Sequence, residues 1–267
     1  MINILQTELY RLKKSALFWT LLGVCAGLPL LGLLFEISVA ATTEGMWEIL
    51  GELEITNSSL SGLASLMSNP ALFALICTSI FLSREFSGGT IRNMLISNKS
   101  RTEIYFCFLT VALSVGMAYL LVSFVSIMIF NATVFGFGNL NAGQAVAACF
   151  TSLAMGVMSI VLVTTMMCMF LFVSRKLSHT LAWPLVICLF APQILALVIE
   201  LLSLARILAG GEFTFAELSW IPLYNISLYD ASAIDGALIG KIALYNIPLS
   251  ALFVYLGWMS FQKADLK

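Results

Sequence analysis

One uninterrupted stretch without Asp, Glu, Lys, Arg or His, residues 104–174, limits what this chain can fold into. A helix crosses a hydrocarbon core about 30 Å thick with roughly 20 apolar residues. As a single helix, the 71 residues of this stretch would be about 105 Å long. The stretch must therefore fold back on itself, and its Asn- and Gly-rich residues 131–144 predict the turn. Four other stretches lack such side chains apart from His179: residues 15–35, 55–83, 177–199 and 242–262.

These stretches predict an all-α, polytopic membrane protein that forms a single transmembrane domain. Only 10% of the residues are charged, whereas a soluble domain carries about 25%. The six predicted transmembrane helices cover roughly residues 17–36, 66–83, 104–130, 145–173, 180–199 and 242–261. Residues 1–16 are predicted as an interfacial helix, residues 84–103 as a short segment between the second and third spans, and residues 37–65 and 200–241 as outer segments.

The positive charges predict how the spans are oriented. Lys and Arg accumulate in cytoplasmic loops. With the N-terminus inside, 11 of the 13 basic residues lie on the cytoplasmic side, and only Arg206 and Lys241 lie outside. Ten of the 14 acidic residues lie on the outer side. Both termini are therefore predicted to be cytoplasmic.

The N-terminal residues predict an amphipathic helix that precedes the first span. Its apolar residues recur at steps of three and four and are Ile2, Leu5, Leu9 and Leu12. Glu8, Arg11 and Lys14 are assigned to other faces. Basic residues favour the cytoplasmic interface, where anionic lipid attracts them. An N-terminal extension of the first span is the alternative.

The residue types that carry chemistry are scarce. His179 is the only histidine, and the six cysteines all fall in predicted spans without the spacing of a metal site. No Gly-x4-Gly-Lys-Ser/Thr motif is present, so we expect no ATP hydrolysis by this chain. Proton- or ion-coupled transport is disfavoured because the predicted spans carry no charged residue near the bilayer centre, and only Glu36, His179 and Glu200 lie near their edges. We expect no cofactor, metal or nucleic acid to bind this chain.

Residues 84–103 form a polar segment in a chain that otherwise avoids charge. Gly88–Gly89 is predicted to end the second span, and Thr90 to cap a new short helix. Asn98–Lys99 predicts a turn, and Ser100 with Glu103 predicts a capping box at the start of the third span. A basic loop with no function beyond orienting the spans is the alternative interpretation.

The short helix in this segment has a predicted apolar face. Ile91, Met94 and Leu95 are spaced so that they share one side, while Arg92 and Asn93 lie elsewhere. The segment is too short for a domain and too structured for a slack linker.

The sequence "REFSGGTIRNMLISNKSRTEIYFCF" at residues 84–108 resembles the permeases of type-2 ABC exporters, closest to the bacitracin and lantibiotic immunity or peptide-export group. The positions that match the family pattern are Glu85, Gly89, Thr90, Arg92, Asn93, Ser100 and Arg101. The interfacial helix, the six spans and the large outer segment before the last span are also similar to this family. One difference is "IYFCF" at residues 104–108, where the family has a Lys or its equivalent.

The resemblance implies that residues 84–103 act as a coupling helix that docks on a dimer of separate ABC ATPase subunits, which bind ATP and Mg. The implied interface residues are Glu85, Phe86, Gly89, Thr90, Ile91, Arg92, Met94, Leu95, Ser100 and Arg101. Arg101 is expected to pair either with an acidic residue of the partner or with Glu85. A second six-span permease, identical or homologous, is also implied.

The resulting hypothesis is an exporter permease in a bacterial plasma membrane. Its substrate would be amphipathic or hydrophobic, such as a peptide antibiotic, a peptide toxin or a lipid, and it would confer resistance to antimicrobial peptides. The alternative is a membrane immunity or sensor component that binds peptides at the outer surface without transporting them. Membrane lipid is the other expected partner.

Overall fold

The computed structural model describes residues 2–42, 69–134, 142–208 and 236–263 of the 267-residue chain. The described residues form helices and no strand, which confirms the predicted all-α class. In chain order the helices are α1 (Ile2–Lys13), α2 (Ala16–Thr42), α3 (Asn69–Ser87), α4 (Thr90–Ile96), α5 (Arg101–Val134), α6 (Ala142–Ser174), α7 (Leu177–Leu208) and α8 (Gly236–Gln262).

Several of these helices are long and apolar enough to cross a membrane. Four candidate spans lie within α3, α5, α6 and α8, and α1 with α2 makes a fifth if the pair, bent by 65°, is taken as one span. In α7, residues Leu177–Phe190 form a shorter apolar helix. The structure thus supports a multi-pass membrane protein with four or five spans among the described residues. The predicted number of six, and the cytoplasmic location of both termini, stay predictions.

Parts of the predicted loops are helical. α5 continues to Val134 and α6 begins at Ala142, so both ends of the predicted turn at residues 131–144 are helical. Likewise, α2 continues to Thr42 and α7 to Leu208, within the predicted outer segments. The remaining parts of the predicted turn and of both outer segments lie outside the described residues.

Two helices, α5 and α6, form the centre of the bundle. α6 packs most extensively on α8 and also contacts α3, α5 and α7, while α5 contacts α1, α2 and α3. The core between them is filled by large side chains that are fully buried, among them Tyr105, Phe108, Phe172 and Phe261. These four aromatic side chains lie at the ends of α5, α6 and α8 that are nearest to α4. The bundle is therefore tightly packed next to the polar segment of residues 84–103.

The outer surface of α7 is apolar along its length. Exposed large side chains recur there at steps of three and four residues: Trp183, Val186, Phe190, Ile194, Leu197 and Leu201. In water such a stripe would be unfavourable, whereas in a bilayer it contacts lipid tails at no cost. The stripe agrees with membrane insertion of this helix.

Candidate coupling site

The double glycine separates α3 from α4, as predicted. Gly88 donates its N–H to the carbonyl of Arg84 at 2.8 Å, which closes the last turn of α3. Gly89 has φ +69°, a left-handed conformation that glycine adopts without the penalty of a Cβ. The prediction that Thr90 caps α4 is wrong. Gly89 is the N-cap, no side chain caps this end, and Thr90 is already the first helical residue.

The other end of α4 is closed by a Schellman motif. Asn98 has φ +64°, and its N–H bonds to the carbonyl of Leu95 at 3.1 Å. Lys99 donates its N–H to the carbonyl of Met94 at 3.2 Å. This pair of bonds satisfies last-turn carbonyls, and Asn is one of the few residues that tolerates the left-handed position. The predicted turn at Asn98–Lys99 is therefore confirmed.

The capping box at the start of α5 is also confirmed. The backbone N–H of Glu103 donates to Ser100 Oγ at 3.2 Å, and the backbone N–H of Ser100 donates to Glu103 Oε2 at 3.4 Å. These two bonds satisfy donors that a helix start leaves free. With the Schellman motif, they fix the path of the chain between α4 and α5.

The two sides of α4 have different surroundings. Ile91 is only 2% exposed, and Met94 and Leu95 pack against the hydrophobic core of the chain itself. Their common face was predicted correctly, but the chain's own bundle covers it. On the opposite side, the structure exposes Arg92, Asn93 and Ile96, and Ile96 is 75% exposed. We call these three residues the α4 outer face.

Ile96 was missed by the sequence reasoning. It lies four residues after Arg92 and three after Asn93, so helical spacing already places it with the polar residues rather than with Ile91. An apolar side chain at an otherwise polar helical face is the signal that could have identified it.

Glu85 is fully buried and forms an ion pair within the chain. Its Oε2 accepts a bond of 2.8 Å from Nη1 of Arg11 on α1. The same Nη1 lies 3.3 Å from Oε1 of Glu8, which is also fully buried. Arg11 therefore joins α1 to the end of α3. In this arrangement neither Glu85 nor Ile91 is accessible to a partner protein.

Glu8 lies on the buried side of α1 rather than on the polar side to which the sequence analysis assigned it. Ile4 and Leu12, each four residues away from Glu8, are buried as well, and Leu5 and Leu9 pack against the core. The apolar face of α1 thus contacts the protein's own bundle. The four-residue spacing of Ile4, Glu8 and Leu12 could have shown that Glu8 shares the buried face.

Burial raises the pKa of Glu8 above 4.5, and the nearby charge of Glu85 raises it further, against the attraction of Arg11. An acid whose pKa is raised on folding stabilises the fold below its unfolded value, and this stability is lost as the pH rises through the folded value. We therefore expect the unfolding free energy to fall as the pH increases above 4.5 through the folded pKa of Glu8. Glu8→Gln should reduce this fall and raise the melting temperature at pH 7.

Thermal unfolding of the detergent-purified chain at a series of pH values measures this effect. Glu103→Gln is the matched control, because glutamine retains the capping box. An unchanged pH dependence in Glu8→Gln would show that this carboxyl group is not the source.

Arg101 connects the start of α5 to the end of α8. Its Nη1 donates to the carbonyls of Phe261 and Gln262, at 3.0 and 2.8 Å. Next to it, Thr102 Oγ1 accepts bonds from Gln262 Nε2 at 3.0 Å and from Trp258 Nε1 at 3.3 Å. Arg101 was predicted to pair with an acidic residue of a partner or with Glu85. These contacts are of neither kind, because the acceptors are backbone carbonyls at the C-terminus of α8.

A family model described as "ABC-2 family transporter protein" matches residues 4–192. The match covers well over half of the chain. The chain belongs to the ABC-2 family of transporter proteins. Neither the comparison with curated proteins nor the comparison with solved structures found a match.

Membership of the ABC-2 family identifies the chain as a membrane permease subunit of an ABC transporter. Such a permease works with an ABC ATPase subunit, which supplies the chemical energy. The several apolar helices agree with a multi-pass membrane location.

The remaining predicted interface residues of this ABC-2 permease lie at the start of α4 or next to it. Phe86 is partly buried, and its ring meets that of Phe172 edge to face, with centroids 5.4 Å apart. Thr90 is partly exposed and Ser100 is exposed. Phe172 also contacts Tyr105 and Phe261, so the permease places one aromatic cluster against the ends of α3, α5, α6 and α8. The structure therefore joins α4 to most of the bundle through its neighbours.

Proposed function

We propose that this permease belongs to an exporter and that its ATPase docks on the α4 outer face. The substrate is amphipathic or hydrophobic, namely a peptide antibiotic, a peptide toxin or a lipid, and it leaves a bacterial cell through the plasma membrane. Six spans with both termini in the cytoplasm, and a second permease of the same kind, complete the proposed complex. The exposed Ile96, on a short helix that the buried Ile91 and the Schellman motif hold against the bundle, is the observation that carries the proposed docking.

The contacts around α4 suit a part that transmits force. The capping box, the Schellman motif and the buried Ile91 hold α4 against the bundle. Arg11 and Arg101 join its two flanks to α1 and α8. Because closely packed helices move as rigid bodies rather than deform, a displacement of α4 is passed on to α3 and α5.

The α4 outer face also has the composition of a small docking surface. An apolar side chain that enters a pocket often supplies much of the binding energy of an interface, and the charged residues around it set the orientation. Here Ile96 is the apolar anchor and Arg92 is the neighbouring cation. We therefore expect an apolar pocket with an acidic rim on the ATPase.

Two isoleucines in the same seven-residue helix provide a matched test. Ile96→Ala should weaken binding of the ATPase about tenfold or more, because it removes the proposed anchor, and it should leave the melting temperature of the permease unchanged. Ile91→Ala should lower the unfolding free energy of the permease by about 2–5 kcal/mol, because it opens a cavity in the core.

Co-purification with the ABC ATPase subunit that accompanies the wild-type permease, together with thermal unfolding, checks both variants. If Ile96→Ala binds the ATPase as tightly as the wild type, α4 does not dock through this residue.

Export itself is tested with the purified complex in lipid vesicles. We expect bacitracin or a lantibiotic to stimulate ATP turnover, and inside-out vesicles to accumulate the peptide only when ATP is present. A complex that binds the peptide but shows neither response would favour the immunity or sensor function. The absence of any ATPase from the purified complex would count against the proposed docking.

A further inference from the structure

A few buried polar groups in the spans have no partner. Among the residues that the structure describes, the buried side-chain oxygens without a hydrogen bond belong to Ser79, Ser152, Asn246 and Ser250. The hydroxyl groups of Thr164 and Thr165 show the usual solution, because each bonds to a carbonyl three or four residues earlier. An unsatisfied polar group in hydrocarbon is costly, so such groups need a physical explanation.

Two of these groups lie on one side of α8. Asn246 and Ser250 are four residues apart, which places them on the same face, and they are only 6% and 5% exposed. Asn246 is also the one amide side chain among the buried polar residues of the described chain. A single helix therefore presents two orphaned groups to the interior of the bundle.

The packing of α8 shows which helix faces them. α8 packs most extensively on α6, and both helices run towards the α4 end of the bundle. At Gly257 the two backbones are so close that an added Cβ would lie 3.0 Å from the Cα of Met169. Asn246 precedes Gly257 by eleven residues, or about 16 Å of helix, and Met158 precedes Met169 by the same number. The orphaned groups of α8 therefore lie beside the Met158 region of α6.

The two side chains offer hydrogen-bond acceptors at this level of the seam. The amide oxygen of Asn246 and the hydroxyl oxygen of Ser250 are both buried and have no partner. Pro248 also leaves the carbonyl of Leu244 without its helical donor, but Leu244 is 67% exposed, so that carbonyl lies on the other side of α8. The two acceptors of the seam are suited to a ligand that carries N–H donors.

We propose that this segment of the α6–α8 seam, defined by Asn246 and Ser250, binds backbone N–H groups of an amphipathic peptide inside the bilayer. A peptide that leaves water needs acceptors for its N–H groups, and this segment supplies acceptors that the fold itself leaves unused. The inference rests on the proposed export function, and it specifies the substrate class as a peptide.

The seam also has a connection to the coupling site. The last turn of α8 accepts hydrogen bonds from Arg101, the first residue of α5, which is the helix after α4. Arg101 therefore links the end of α8, and with it the seam, to the residues that follow α4.

The test measures stability and peptide binding in the same variants. Asn246→Leu should raise the melting temperature, because it removes an unsatisfied buried group, and should weaken peptide binding about tenfold. Ser250→Ala should change both quantities in the same directions by smaller amounts. Fluorescently labelled bacitracin and nisin, titrated onto the purified full chain in nanodiscs, are the probes.

Ser123→Ala is the matched control, since Ser123 is equally buried but donates to the carbonyl of Cys25. It should lower the melting temperature and leave peptide binding unchanged. The site is supported if Asn246→Leu raises the melting temperature and weakens peptide binding, whereas Ser123→Ala lowers the melting temperature and leaves peptide binding unchanged. A lower melting temperature in Asn246→Leu, unchanged peptide binding, or no binding of either peptide to the wild type overturns it.

These outcomes are separate from those of the proposed function. If the wild-type chain binds an ATPase but Asn246→Leu leaves peptide binding unchanged, the peptide site is wrong and the proposed docking still stands. If peptide binding depends on Asn246 but the chain recruits no ATPase, the peptide site stands and the proposed export is wrong.

Discussion

Replacing Arg11 with methionine is expected to lower the unfolding free energy by about 3–5 kcal/mol, because it leaves buried carboxylates without their cation. The guanidinium lies between Glu8 and Glu85, at 3.3 and 2.8 Å, and both carboxylates are fully buried. Arg11 itself is 45% exposed, so the ion pairs alone are worth little. The cost comes from two like charges that face each other away from water. Methionine keeps the apolar stem of the side chain, which isolates the loss of charge.

Thermal unfolding and the abundance of the chain in the membrane fraction measure this loss. Adding Glu8→Gln and Glu85→Gln to Arg11→Met should restore most of the stability, because no buried charge is then left unpaired. Lys13→Met, at an exposed position of the same helix, is the control and should have little effect. If the triple variant is no more stable than Arg11→Met alone, the loss does not arise from the two carboxylates.

Gly257→Val is expected to cost at least about 3 kcal/mol, at the upper end of the range for overpacked cores. A Cβ at this position would lie 2.7 Å from the hydroxyl of Tyr105 and 3.0 Å from the Cα of Met169. The second contact is with backbone, which cannot rotate away. α8 would have to move off α6, and the bond of 3.0 Å from Tyr105 to the carbonyl of Val254 would be disrupted.

Gly240→Ala provides the comparison for Gly257→Val in the same helix. An added Cβ at Gly240 meets nothing within 4 Å, so alanine there should be neutral or stabilising, by up to about 1 kcal/mol from helix propensity. Melting temperatures of both variants in detergent test the contrast. Equal melting temperatures would show that α8 and α6 are not closely packed at Gly257.

Local rules predicted the local geometry of the candidate coupling site well. The glycine break, the turn at Asn98 and the capping box of Ser100 with Glu103 each depend on residues a few positions apart. Their energies are decided within one turn of chain, so the sequence contains the necessary information. The N-cap of α4 is the exception, because glycine, rather than the adjacent Thr90, occupies the left-handed position.

Longer-range contacts were beyond the reach of these rules. The pattern of Ile91, Met94 and Leu95 predicts that they share a face, but periodicity does not tell whether a partner or the chain itself covers that face. Glu85 meets Arg11 from 74 positions away, and Arg101 meets Gln262 from 161 positions away. Such pairs depend on how the helices are arranged, which a single sequence with six predicted spans leaves undetermined.

The contact between Arg101 and the carbonyls of Phe261 and Gln262 also bears on how the chain is made. A ribosome releases α5 and α6 long before α8, so the cation that closes the last turn of α8 is already in the membrane when that turn emerges. Helix α8 is therefore expected to insert against helices that are already packed, and its end should be the last part of the described bundle to become resistant to protease during synthesis.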